Sequence, residues 1–218
     1  MLASPAALTW QALTLRLHTP FRVSYGESAT RRAFWLRLAG DAGWGEGTIP
    51  PYYGVDEAAM VAYWQATATR DDPLPDDPAA VAAWVGEEGP APARAAVDLA
   101  LHDRIGRQRA TPLWRLLDLP QPQPLPTSFT LSLGEPAEMA EMAAAAAGYP
   151  VLKLKLGTQD DAARVAAVRA ARPDARLRVD ANAAWPAEEA IRRVAALAPY
   201  DLELIEQPVA KEDIEGMG

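Results

Sequence analysis

The residues best suited to chemistry stand in three short, otherwise apolar stretches. Residues 151–156 read V-L-K-L-K-L, so Lys153 and Lys155 share one face of a strand and Leu152, Leu154 and Leu156 take the other. Residues 177–182 read L-R-V-D-A-N, which puts Asp180 and Asn182 on one face, opposite Val179 and Ala181. Residues 202–207 read L-E-L-I-E-Q, with Glu206 near the end on the face of Leu204. A strand buried inside a parallel sheet should be apolar. Taken singly, each charge has an ordinary explanation: a lysine snorkels to solvent, an aspartate caps a helix or a turn. Charges at matching depth on three successive strands are too costly to be incidental, and they lie toward the strand ends where α/β active sites assemble.

The residue types define the chemistry. Asp180 and Glu206 offer hard oxygen ligands. The chain has no cysteine and only two histidines, His18 and His102, both far upstream, so the metal these ligands suit is Mg²⁺ rather than Zn²⁺. Mg²⁺ holds a substrate carboxylate and offsets the charge of an enediolate. A partly desolvated lysine beside such an ion has its pKa drawn toward neutrality and serves as a base. Lys155, nearer the strand's C-terminal end, is the candidate base. Lys153 is its electrostatic neighbour, helping to lower that pKa or to bind the carboxylate.

These strands need a scaffold, and the second part of the chain supplies one by alternation. Residues 127–132, 151–156, 177–182 and 202–207 read as strands, and 136–148, 159–171 and 186–198 as helices. Matching positions Phe129, Lys153, Val179 and Glu203 recur at a βα spacing, which means a parallel sheet with right-handed crossovers, in a barrel or a doubly wound sheet. The first part differs. Residues 8–18, 22–25 and 33–39 are β-prone runs of an antiparallel meander, and 56–69, 78–87 and 91–107 are helical. The glycines at 43, 45 and 47 read as a turn and not as a phosphate loop. The expected division is a first domain over 1–120, a Pro-rich linker at 121–126 and a second domain over 127–218.

Composition narrows the class. The chain has 218 residues, half of them hydrophobic, and a net charge of −8, which argues against a nucleic-acid partner. The lack of cysteine fits a reducing cytosol, and no apolar run reaches the roughly 20 residues of a membrane span. No targeting signal stands at the start. A small-molecule substrate, no membrane partner and a homo-oligomer are the expectations for such a cytoplasmic protein.

The strings K-L-K-L-G, V-D-A-N-A-A-W and L-I-E-Q-P-V, in that order, resemble the enolase superfamily, in its muconate-lactonizing-enzyme subgroup. The resemblance is nearest to dipeptide epimerases of the L-Ala-D/L-Glu type, and T-P-F-R (19–22), G-W-G-E-G (43–47) and A-R-A-A-V-D-L-A-L-H-D (93–103) extend it to the first domain. It implies an α+β capping domain followed by the first half of a (β/α) TIM-type barrel, with about four βα units. It further implies Mg²⁺ on Asp180 and Glu206, proton abstraction by Lys155, and Lys153 as first lysine of the pair. The loops around Tyr25 and over Pro50 to Tyr53 are then where the cap closes on substrate, making Tyr25 and Tyr53, with Asn182, candidate substrate contacts. Arg22, Arg31 and Arg32 are candidates to meet a carboxylate, but no residue matches the arginine that holds the glutamate side chain in the L-Ala-D/L-Glu enzymes. Trp44 and Trp185 read as packing residues.

The family also places a third metal carboxylate on a fifth barrel strand and a second lysine on a sixth. The chain ends about ten residues after the fourth, so it reads as a fragment with little epimerase activity of its own and weak Mg²⁺ binding. The same lysine pair would serve a muconate-type cycloisomerase, an o-succinylbenzoate synthase or an N-acylamino-acid racemase. A non-catalytic fragment that needs a partner chain is the alternative outside enzymes. An open doubly wound binding domain would require a Gly-rich first βα turn, and L-G-E-P (133–136) does not supply one.

Overall fold

A computed structural model describes residues 8–49 and 53–217. Pro50, Pro51 and Tyr52 of the expected specificity loop lie outside the described residues, as do residues 1–7 and Gly218. The chain forms two compact units. One comprises the residues up to Leu17 together with Thr30–Gln123; the other comprises His18–Ala29 and Pro124–Gly218. The tip of the first hairpin thus groups with the second unit, which the division by linear segments at 120 and 127 did not foresee.

The first unit is built on an antiparallel sheet. The three β-prone runs resolve differently from expectation: β1 is one strand over Leu8–Val23 and β2 one strand over Gly26–Leu38, in a sheet of order β1-β2-β3. The third strand, β3 over Trp44–Ile49, contains Gly45 and Gly47 of the glycines read as a turn, and Gly43 stands just before it. They are there because a helix lies against them. A Cβ on Gly45 would sit 1.8 Å from the Ala96 carbonyl oxygen, and one on Gly43 would sit 2.1 Å from that of Ala100. Both carbonyls belong to α3, Ala91–Gln108, so only glycine permits this approach. Helices α1, Glu57–Ala68, and α2, Val81–Val85, add Met60, Trp64, Val81 and Val85 to a core shared with Phe34, Leu36 and Leu101. A short α4, Leu113–Leu116, follows. Trp44 is 38% exposed and packs on Trp35, with ring centroids 5.6 Å apart.

The second unit carries four parallel strands in the order β4-β5-β6-β7: Ser128–Leu131, Val151–Lys155, Arg176–Asp180 and Leu202–Glu206. Between them run α5, Pro136–Ala145, α6, Asp161–Ala171, and α7, Ala187–Leu197. The antiparallel first domain followed by strand–helix units of a parallel sheet matches the expected capping domain and partial barrel. Helix α5 opens with a capping box between Glu135 and Glu138. The core is the strands' apolar face, Leu152, Leu154, Val179 and Leu177, closed by Met139, Val165 and Val168. Trp185 is buried there too, at 3% exposure. The register departs by one place from the expected correspondences. Lys153 pairs with Thr130 and Arg178, not with Phe129 and Val179, and a shift between Leu177 and Arg178 moves β7 further.

Candidate active site

The register sets the site. Lys155 pairs with Asp180 across β5 and β6, and Asp180 pairs with Glu206 across β6 and β7. Each is the last residue of its strand, so three charged side chains stand abreast at one end of the sheet. Lys153 lies two residues back on the face of Lys155 and reaches up to the same level.

Asp180 is the hub. It is 1% exposed, and its Oδ2 lies 2.7 Å from Lys155 Nζ and 2.8 Å from Lys153 Nζ. Its Oδ1 accepts the backbone N–H of Asn182 at 2.9 Å. Lys153 Nζ also lies 2.7 Å from Glu206 Oε2. Lys155 donates to the side-chain oxygen of Asn182 at 3.0 Å, and its Nζ stands 5.8 Å from the centre of the Phe21 ring. Asn182 takes a left-handed φ of 51°, a conformation asparagine tolerates better than most residues.

The charges act on one another. Burial pushes the Asp180 carboxyl up, but the hydrogen bonds from Lys153, Lys155 and the Asn182 amide, with the Lys155 charge, outweigh it and hold the group below the usual carboxylate range. Burial pulls Lys153 down, and the hydrogen bonds and charges of Asp180 and Glu206 outweigh that and raise it above the usual lysine value. Lys153 therefore stays a cation. That suits binding an anionic group.

The donor set also fits a magnesium ion. Mg²⁺ is commonly held by one or two carboxylates, with water and substrate oxygens completing its shell. Asp180 and Glu206 are adjacent on neighbouring strands, and the Lys153 ammonium is shared between them, so the site already accommodates positive charge there. Among the described residues no cluster of three or more His, Cys, Asp or Glu forms.

The other expected contacts are placed as follows. Tyr25 is 56% exposed at the turn between β1 and β2, and Tyr53 is 78% exposed in the first unit, before α1. Arg22 pairs with Glu27 at 2.6 Å, and Arg32 pairs with Glu57 at 2.7 Å. Phe21 was missed, because nothing in its sequence surroundings links the tip of an N-terminal hairpin to a lysine 134 positions later.

Residues 135–218 match the family described as Enolase C-terminal domain-like. The hydrophobic dipeptide epimerase of Enterococcus faecalis is 42% identical over 130 residues, covering 57% of this chain and 36% of that protein. The L-Ala-D/L-Glu epimerase of Escherichia coli is 33% identical over 208 residues, covering 90% of this chain and 61% of that protein. The chain resembles the enolase superfamily, through the matched family over 135–218 and through its epimerases over nearly the whole chain. The crystal structure of the dipeptide epimerase from Enterococcus faecalis V583, complexed with Mg and the dipeptide L-Leu-L-Tyr, superposes with a TM-score of 0.84 at 30% identity, over 97% of this chain and 63% of that one. The resemblance is to dipeptide epimerases in sequence and in fold. The chain spans less than two thirds of these relatives' lengths. Among the described residues no helix is long and apolar enough to cross a membrane.

Proposed function

We propose that this chain carries the proton-abstracting half of a dipeptide epimerase, with Lys155 as the base that removes the proton α to a carboxylate. The observation that carries this reading is the strand-end row of Lys155, Asp180 and Glu206 with Lys153 between the two carboxylates. The Lys155 ammonium first releases a proton to solvent; the α-carbon's C–H bond then breaks, its proton goes to the Lys155 amine, and the electron pair moves into the carboxylate as an enediolate. Asp180 and Asn182 orient the Lys155 nitrogen from two sides. Lys153, held as a cation, faces the developing negative charge. Asp180 and Glu206 would hold Mg²⁺, which when bound supplies Lewis-acid neutralisation of the substrate carboxylate. Inversion is completed when a proton returns to the opposite face. Support for a dipeptide substrate comes from the named activities of the relatives, and a cytosolic setting fits the cysteine-free chain.

The test is α-proton exchange in D₂O with Mg²⁺, using L-Ala-L-Glu and L-Leu-L-Tyr and the protein that carries this sequence. Deuterium should enter the α-position, and Lys155→Ala should lower the rate by about 10³-fold or more. Exchange that survives Lys155→Ala removes Lys155 from the role. Turnover of N-succinyl amino acids with no exchange of any dipeptide would redirect the substrate class to that of the Bacillus cereus N-succinyl-L-Arg/Lys racemase, which is 28% identical over 237 residues.

A further inference from the structure

The second unit buries another aspartate as deeply as Asp180, and the chemistry above does not use it. Asp161 is 1% exposed at the start of α6. An acid there would ordinarily favour the helix's own N-terminal amides. Asp161 instead reaches back out of the helix. Its two oxygens accept the backbone N–H of Gly157 at 3.0 and 3.1 Å and that of Thr158 at 3.1 Å. Two guanidinium groups balance its charge: Arg193 of α7 at 2.9 Å and Arg164 of α6 at 3.6 Å.

Both arginines continue to backbone. Arg193 donates to the Thr158 carbonyl, and Arg164 donates to the Gly134 carbonyl in the turn after β4 at 2.7 Å. One buried carboxylate therefore joins the turn after β4, the turn after β5 and helix α7. The middle turn begins one residue beyond Lys155. Its first residue, Leu156, donates its N–H to the Asp180 carbonyl at 2.9 Å. Its second, Gly157, has a φ of 115°, and a Cβ there would meet Ala184 Cβ and Ser24 Cβ at 2.7 Å. The turn is gripped on one side by close packing and on the other by Asp161.

We propose that Asp161, with Arg164 and Arg193, is a positioning residue for Lys155: it fixes the turn after β5 and so holds the Lys155 nitrogen against Asp180 and Asn182. This rests on the reading of Lys155 as the base. A brace that served only to pack helices would end on helices; this one ends on the amides two and three residues past Lys155. A misplacement of about 1 Å at a reacting group is enough to cost roughly 10²-fold in rate.

The experiment uses Asp161→Ala, Asp161→Asn and Arg193→Gln in the protein that carries this sequence, with two readouts. The first is kcat and KM for α-proton exchange. Asp161→Ala should lower kcat by roughly 10- to 100-fold with KM nearly unchanged. Asp161→Asn, which keeps an acceptor for the amides, should recover part of the loss. The second needs neither substrate nor metal. The chain has three lysines, and Lys211 is exposed, so acylation by acetic anhydride, read residue by residue by mass spectrometry, carries its own internal standard. Labelling of Lys155 relative to Lys211 should rise severalfold in Asp161→Asn and less in Arg193→Gln, with Lys153 changing little. An unchanged Lys155 ratio, or an equal rise at Lys153 and Lys155, overturns the proposal, as does an unchanged kcat. If Asp161→Ala does not fold, the other two variants decide by the same criteria. If the unsubstituted protein exchanges no α-proton, the reading of Lys155 as base fails, and the labelling ratio still decides whether Asp161 positions it.

Discussion

Asp180 and Asp161 are equally buried and lie in the same unit, yet their partners differ in kind. Asp180 ends a strand and is neutralised by two ammonium groups on one oxygen. Asp161 begins a helix and is neutralised by two guanidinium groups and two backbone amides. A lysine is a compact point charge on a flexible stem that can give up its proton or its place. A guanidinium is planar, permanently charged and fixed in direction. Asp180 thus sits in a cluster able to exchange partners, as a site with a metal and a substrate requires. Asp161 sits in one built to stay as it is.

The largest expected effect is on activity, at Asp180. Asp180→Asn leaves two ammonium groups facing a neutral amide and removes a proposed metal ligand. Exchange activity should fall by about 10³-fold or more, and stability by about 3 kcal/mol, the order expected when one partner of a buried pair is removed. Denaturant titration beside the exchange assay separates the two losses. A variant that keeps its activity would erase the distinction between the two aspartates.

Gly157→Ala comes next and acts where the two clusters meet. The left-handed φ and the two close Cβ contacts mean that alanine must push away from both Ser24 and Ala184. Stability should fall by about 2 kcal/mol, with a larger fractional loss in kcat than in substrate binding. A loss confined to stability would show that the turn after β5 does not govern Lys155.

Acidity probes the Asp180 cluster when the unsubstituted protein is compared with Asp180→Asn. In metal-free protein the Asp180 carboxyl is held below its unfolded value, near 3.9 for an ordinary aspartate. Its contribution to stability is complete above that value and is lost as pH falls through the lower folded value. Lys153, held above its unfolded value of about 10.4, contributes fully below that pH and loses its contribution as pH rises through the higher folded value. Urea melts of the unsubstituted protein and of Asp180→Asn should therefore converge as the solution is acidified below about pH 4. Parallel curves through that range would contradict the ion-pair geometry.

Much of the sheet unit was legible because period-two alternation and βα spacing are local patterns. Lys153, Lys155, Asp180 and Glu206 stood out because charge is misplaced in a buried parallel strand. The one-place error in strand correspondence arose because spacing along the chain does not report register, and the shift at Leu177 is a backbone event without a sequence mark. The glycines of β3 were misread because their cause is a helix some fifty residues later, whose carbonyls leave no room for a Cβ. Asp161 was visible only as an acid in a first helical turn, where the ordinary cap explanation is satisfactory. Its arginine on α7 lies 32 residues away, and its amide partners lie outside the helix.

The smallest expected effect on stability is at Glu206, and it tests which side of the comparison that residue belongs to. Its side chain is 50% exposed, while that of its partner Lys153 is 20% exposed. Water screens the pair, so Glu206→Gln should cost only about 0.5 kcal/mol despite the 2.7 Å contact. Its effect on Mg²⁺ should be larger, because one of two proposed carboxylate ligands is lost: calorimetric affinity should weaken by roughly tenfold or more. A site meant to exchange partners keeps such a carboxylate accessible, weakly coupled to folding and strongly coupled to the ion. The reverse outcome, a stability loss of 2 kcal/mol or more with Mg²⁺ affinity unchanged, would make Glu206 a fixed structural partner like Asp161. Asp180 would then be the one carboxylate of this row left to hold a cation.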